Sequence, residues 1–250
     1  MPKKDTSWGK VADWYNDLLS RSDTYQKEVI LPNLIRLMDI KKGESVLDLA
    51  CGQGFFSREF ARNGAKVVGV DIGKELIDIA RKASPEISFH VSPANSLKPI
   101  KNDSVDKISI VLALQNIEDL SGVFSECFRV LKSKGKLFFV LNHPSFRIPK
   151  YSRWEWDEKR GIQYRRLEEY ISESRVSIEM NPGQKNSKST ISFHRPLQSY
   201  FKMLTKNGFV VTHLEEWVSH KESEKGPRQS AENRARNEFP MFLTIEAHKG

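Results

Sequence analysis

Two hydrophobic rhythms divide the chain. Up to about residue 44 the apolar positions suggest helix: a WYNDLLS segment is followed by Val29, Ile30, Leu34, Leu37 and Met38, which recur near a period of about 3.6, with Pro32 as a kink or restart. Lys42-Gly43 closes that region. From there short apolar runs alternate with amphipathic ones. Runs at residues 45–49, 66–70, 87–91, 105–112 and 136–142 predict five strands; residues 55–63, 74–83 and 119–131 predict helices between them, the first ended by Gly64. Parallel neighbours require crossovers of this kind, and such crossovers are almost always right-handed. The expected fold class is therefore α/β, with a doubly wound parallel sheet.

After Asn142 the alternation stops. Residues 143–195 carry Tyr151, Trp154, Trp156, Tyr164 and Tyr170 among many charges, and the polar stretch NPGQKNSKST is expected to be a loop. This segment is predicted to be an insertion or cap. Residues 196–207 form a predicted helix with proline at its start and Gly208 at its end, followed by strands at 209–216 and 241–247 joined by the charged stretch 219–238.

Composition narrows the class. At 250 residues and 38% hydrophobic, the chain suits one large domain or one domain with an insertion. It has neither the roughly 18 consecutive apolar residues of a membrane span nor an apolar stretch behind the basic N-terminus, so a soluble, cytoplasmic protein is expected. Cys51 and Cys127 form no CxxC or Cys/His cluster, which points to neither disulfides nor zinc. The net charge of +8 invites a nucleic-acid partner, but it is thinly spread: bases against acids number 8 to 8 in residues 1–50, 15 to 10 in 51–150, 9 to 7 in 151–200 and 8 to 7 in 201–250. Segments such as KESEK and ENRAR alternate in sign, as solvated faces do, so a nucleic-acid partner is not favoured.

The chemistry concentrates in residues 46–57, VLDLACGQGFFS, where a strand runs into a glycine turn and a helix. Asp71 ends the next strand, 19 residues after Gly52. Such an arrangement marks nucleotide binding at the carboxyl edge of an α/β sheet: the glycines let the main chain approach the ligand, and the acid can accept both ribose hydroxyls of an adenosine. A dinucleotide fingerprint wants a third glycine where Ser57 stands. Asp48, just ahead of the turn, would repel a pyrophosphate and suit the amino group of a methionyl moiety.

VLDLACGQG followed by VVGVDIG resembles motif I and its partner in the class I S-adenosylmethionine-dependent methyltransferases, a resemblance covering about residues 28–145. Asp48, Cys51, Gly52 and Gly54 are in register with the family pattern, and Ala50 replaces its first glycine. The resemblance implies a Rossmann-like, doubly wound seven-stranded sheet, mostly parallel with an antiparallel last strand, and S-adenosyl-L-methionine as cofactor. It implies one domain over residues 1–250: an N-terminal helical lid (1–44), a cofactor-binding core (45–142), the cap (143–195), and a C-terminal helix and strands completing the sheet (196–250). Carried over, residues 50–54 line the methionine portion, Asp71 holds the ribose and Ile72 lies against the adenine. Ala94 and Asn95 approach the adenine amino group, Asn95 replacing the commoner aspartate. Leu112 passes the methyl donor. Tyr15 and Tyr25 resemble an aromatic lid, with plain helix packing as the alternative.

Methyl transfer from a sulfonium is an in-line displacement that needs no metal; the protein positions two reactants and excludes water. A hydroxyl acceptor gains from a base, for which His143 and His194 are candidates, each with a structural alternative. Gln115, Asn116, Arg147 and Arg195 are candidate acceptor-binding residues, with Arg165 and Arg166 as further cations for an anionic acceptor. The expected acceptor is an oxygen or nitrogen atom of a small molecule. RNA or protein methylation and a non-catalytic scaffold are the alternatives; the LQNIED stretch lacks an NPPY-like tetrad for base amines, and the chain has no catalytic cysteine motif for a pyrimidine carbon.

Overall fold

The computed structural model describes residues 23–179 and 189–250. WYNDLLS and Tyr15 lie outside them. The remaining leading segment is helical: a π-helical turn, Gln26–Ile30, passes into α1 (Leu31–Met38), and Pro32 sits in the first turn of α1, where its missing N–H costs least. The restart expected at Pro32 is thus a change of helix type.

Strand β1 (Ser45–Leu49) explains the sheet. Its side chains alternate between faces, yet Val46 on one side and Leu47 and Leu49 on the other are all buried. An apolar run must be buried in this two-sided way when helices cover both faces of a parallel sheet. The chain supplies them in turn: α2 (Phe55–Arg62), β2 (Lys66–Asp71), α3 (Lys74–Ala83), β3 (Ser88–Val91), β4 (Val105–Val111), α4 (Leu120–Val130) and β5 (Leu131–Asn142). One core gathers Val46, Phe138 and Val140 with Leu34, Met38 and Phe60. The other gathers Leu47, Leu49, Phe139 and Leu141 with Phe124 and Tyr200.

Residues 143–195 leave the sheet and form two antiparallel hairpins, β6 (Ser152–Asp157) with β7 (Ile162–Leu167), and β8 (Ser174–Glu179) with β9 (Ser189–His194). The start of β9 thus takes in the end of the predicted loop. The chain then makes α5 (Leu197–Lys206), β10 (Phe209–Trp217), α6 (Gln229–Glu238) and β11 (Phe242–Lys249). The seven-stranded sheet has the order β10-β11-β5-β4-β1-β2-β3, and β11 runs antiparallel to both its neighbours, as expected.

Two elements depart from the sequence reading. Strand β5 begins at Leu131, ahead of residue 136, because a bulge lets the register against β4 jump from Val105↔Leu131 to Lys107↔Lys136. Helix α6 occupies part of the charged stretch 219–238; only Ala235 is buried in it, so it carries no apolar stripe to announce itself, and it packs against β7. No helix among the described residues is long and apolar enough to cross a membrane.

Candidate functional site

The sheet order places β1 and β4 side by side while the chain leaves β1 towards β2 and leaves β4 towards β5. A crevice opens at the carboxyl ends of such a pair, because the crossovers depart in opposite directions. Both strand tips here are strained. Ala50 beyond β1 has φ 60° and Leu112 beyond β4 has φ 51°, a left-handed conformation that costs a residue with a Cβ about 1–2 kcal/mol. Such strain persists only where the surroundings impose it. The N–H of Leu112 donates to the Val140 carbonyl at 2.8 Å, and its own carbonyl accepts from Gln115 Nε2 at 2.7 Å and Asn116 Nδ2 at 3.5 Å. In the β1 turn, the Gly54 N–H donates to the Cys51 carbonyl at 2.9 Å. Gly54, at φ 77°, tolerates no side chain: a Cβ would stand 2.8 Å from the Phe89 ring.

Asp71 closes the other side of this turn. Its Oδ2 accepts from the Gly52 N–H at 2.9 Å and its Oδ1 from the Gly73 N–H at 2.7 Å. Burial pushes the carboxyl above the usual range, and hydrogen bonding from the main-chain N–H groups of Gly73, Gly52 and Ile72 opposes the shift. A carboxylate has about four acceptor positions, so capacity remains for a ribose hydroxyl. Ile72 beside it leaves 53% of its surface exposed, apolar area that a flat heterocycle would cover. Asn95 is exposed and donates through Nδ2 to Asp119 Oδ2 at 2.9 Å, which leaves its amide oxygen as an acceptor; Ala94 packs against the core. This donor and acceptor set fits an adenosine.

Asp48 differs from expectation. It is 2% exposed, and its Oδ2 accepts from the Ser57 hydroxyl at 2.5 Å. Burial pushes its carboxyl up to about 7. Instead of standing open to a ligand ammonium, the acid is met from within by the residue that occupies the missing third-glycine position. Cys51 is likewise turned inward: its N–H joins the Val70 carbonyl at 3.0 Å, and its thiol lies in the core, where burial raises it well above the ordinary range. Only its main chain can line the turn.

The two histidines separate clearly. His143 accepts the Ser145 N–H at Nδ1, 3.2 Å away, so its proton sits on Nε2, which lies 2.6 Å from Glu216 Oε1. Burial lowers its pKa, against the effect of Glu216. With both nitrogens engaged, His143 has no lone pair to act as the expected base. His194 holds the Tyr170 carbonyl through Nε2 at 2.8 Å, and Nδ1 has no donor among the described residues. That bond fixes the orientation of the ring. β9, which carries it, packs on the turn at Leu114–Asn116.

Among the acceptor candidates, Gln115 keeps a buried Oε1 without a donor, whereas Asn116 is buried on the strained tip. Arg195 is structural on one side: its Nη2 donates to the carbonyls of Ile117 and Glu118 at 2.9 and 2.8 Å, pinning β9 to the chain beyond β4, while Nη1 is buried and unsatisfied. Arg166 pairs with Glu155 and Glu168. Tyr25 bonds Ser219 Oγ at 3.2 Å and packs edge-on against Phe242, which pairs with Asn142 at the end of β5. It therefore lies at the carboxyl end of the sheet, as part of a packed cluster.

Comparison with known proteins agrees with this geometry. Residues 47–139 match the family described as a methyltransferase domain. A solved S-adenosylmethionine-dependent methyltransferase from Mesorhizobium loti superposes with a TM-score of 0.68 at 25% identity, covering 86% of this chain and 96% of that one. Residues 47–139 thus carry a methyltransferase domain, and the chain is similar in fold to S-adenosylmethionine-dependent methyltransferases. That likeness implies S-adenosylmethionine as its cofactor. A demethylmenaquinone methyltransferase of Streptomyces avermitilis is 32% identical over 135 residues, 54% of this chain and 57% of that protein. A ubiquinone biosynthesis O-methyltransferase of Xanthomonas oryzae is 33% identical over 100 residues, 38% and 42% of the two chains. The matches thus span about half the length of these curated relatives.

Several residues that build this candidate site went unnoticed in the sequence. Ser57 was legible only as a missing glycine; its polarity on a buried helix face was the available signal. Gly73, which holds Asp71, is a second glycine two residues past the acid. Glu216 and the Tyr170 carbonyl, which orient the histidines, are 73 and 24 residues distant and left no local trace.

Proposed function

We propose that this methyltransferase transfers a methyl group from S-adenosylmethionine to an oxygen or nitrogen atom of a small molecule. The observation that carries this reading is Asp71: a buried carboxylate oriented by main-chain N–H groups, with acceptor capacity left for a ligand hydroxyl, beside a glycine turn at the sheet's switch point. When bound, the cofactor supplies a sulfonium methyl for in-line displacement. Residues 50–54 approach its methionyl portion by main chain alone, Asp71 holds the ribose, and Ile72 and Asn95 receive the adenine. Gln115 offers its unsatisfied oxygen to a donor on the acceptor. His194 Nδ1 takes the proton of a hydroxyl acceptor, with the Tyr170 carbonyl fixing the opposite nitrogen. The hairpins act as a cap that keeps water from the reaction.

A small acceptor is favoured over RNA because the basic residues of 51–150 are interspersed with acids that pair with them, as Lys74 does with Asp78, Arg129 with Glu126 and Lys132 with Asp106, and because Glu44 and Glu246 from outside that stretch meet Lys107 and Lys136. Relatives whose names specify methylation in quinone biosynthesis support the same choice. Calorimetry with S-adenosylhomocysteine tests the cofactor assignment. Binding by the wild-type chain and a loss of at least about ten-fold in Asp71→Ala is expected, since removing a hydrogen-bonded charged partner costs about 1.5–3 kcal/mol. Equal binding by both proteins would refute it.

A further inference from the structure

The β6–β7 hairpin sorts its charges by face. Residues directly opposite in an antiparallel pair share a face, so Arg153 and Arg166 lie together on one side, next to Glu155 and Tyr164 on that side. There every charge is answered: Arg153 and Arg166 both reach Glu155 and Glu168, and Tyr164 donates to Glu155. The other side carries Trp154 opposite Arg165, and no acid reaches that arginine. Arg165 lies over the Trp154 ring, 5.1 Å from its centre, and donates through Nε to the Phe146 carbonyl and through Nη2 to Ser152 Oγ, both at 2.9 Å. The carbonyl it grips belongs to the residue just before Arg147.

Arg147 is the anomaly. Its guanidinium has no hydrogen-bond or ion-pair partner among the described residues, although it is half-buried and burial lowers its pKa. The nearest charge that acts on Arg165 is Arg147 itself, and burial together with that like charge holds Arg165 down to about 10. Two partly desolvated cations close enough to act on one another are unfavourable unless something negative lies near both. Their surroundings are aromatic: Phe146 against His143 at 4.7 Å, and Phe239 against both Phe146 and Trp154 at 5.5 Å. The chain reaches Arg147 five residues past the end of β5, and β5 lies two strands from β1, about 10 Å across the sheet, within reach of one small ligand that also meets the cofactor.

We propose that Arg147 and Arg165 form a receptor for the carboxylate of the methyl acceptor, so that the substrate class is a small aromatic carboxylate. Guanidinium pairs suit this task because each presents a planar fork matched to a carboxylate, and the neighbouring rings complement an aromatic body. The proposal deepens the methyltransferase reading and rests on it.

Thermal unfolding of the full chain tests it, with sodium benzoate, sodium phosphate and benzyl alcohol as probes against sodium chloride at equal ionic strength, each with and without S-adenosylhomocysteine. Benzoate is expected to raise the unfolding midpoint of the wild-type protein above the chloride control, and benzyl alcohol is not. Arg147→Gln and Arg165→Gln should each abolish the benzoate shift while keeping the S-adenosylhomocysteine shift, and Arg147→Gln should melt higher than wild type without any anion. Absence of a benzoate shift in the wild type, an undiminished shift in both variants, an equal effect of benzyl alcohol, or a response to phosphate alone would each overturn the proposal. Failure of the other reading looks different: a wild-type chain that responds to benzoate but not to S-adenosylhomocysteine retains the anion receptor and loses the methyltransferase assignment.

Discussion

Asp48→Asn isolates the cost of the buried carboxyl beneath the glycine turn. In the folded chain Asp48 keeps its proton up to about pH 7, whereas its ordinary value is 3.8. Between roughly pH 4 and pH 7 the folded state therefore binds a proton that the unfolded state has released, and stability declines as pH rises through this window. The full loss is present above the folded pKa. A separation of about three units corresponds to about 4 kcal/mol. Asparagine is nearly isosteric, keeps an oxygen to accept the Ser57 hydroxyl, and cannot ionise. Urea unfolding followed by tryptophan fluorescence at pH 4.5, 6, 7 and 8.5 should give closely similar free energies for both proteins at the lowest pH and a growing advantage for the variant above it. The charge of Asp71 adds to the rise of Asp48, so the difference contains their mutual repulsion as well as the burial of Asp48. A difference that stays constant over this range would refute the argument. Because Asp48 is engaged by Ser57, S-adenosylhomocysteine affinity should change by only a few fold in the variant; direct contact with a ligand ammonium would instead require a loss on the order of ten-fold or more.

Ala50→Gly relieves the left-handed strain at the β1 tip; after the entropy glycine adds to the unfolded chain, a gain of about 0.5–1 kcal/mol is expected in the same unfolding assay. His194→Gln should lower kcat for a hydroxyl acceptor by about 100-fold with KM and the unfolding midpoint retained, whereas a purely structural histidine would shift the midpoint and spare kcat. Cys51 and Cys127 are buried with thiols raised by burial, so neither should react with an aromatic disulfide reagent until the chain is unfolded; rapid labelling of the native protein would contradict the packing.

What could be read locally was read well. Strands β1, β2, β4 and β5 announce themselves because residues on both their faces are buried, which demands an apolar run, whereas edge strand β3 buries only Phe89; the glycine turn with Asp71 announces itself because close main-chain approach to a ligand leaves few residue choices. Hairpin β6–β7 was hidden because its strands mix charges with aromatic residues, and β8–β9 because β8 alternates polar and charged positions with single aliphatic ones next to the polar stretch that ends in Thr190. Helix α6 was hidden because it buries little more than Ala235.

The sequence by itself thus determined the architecture and the cofactor class, since both depend on residue type at short spacing, and it singled out Asp71 as the acid beside the glycine turn. Only the tertiary structure decided which groups are free. It closed His143 against Glu216 and left His194 Nδ1 without a donor among the described residues; it buried Asp48 against Ser57; and it set Arg147 near Arg165 while Glu155 and Glu168 pair with the arginines of the opposite face. Whether a side chain is satisfied depends on partners brought from distant segments by packing, and no local period records them.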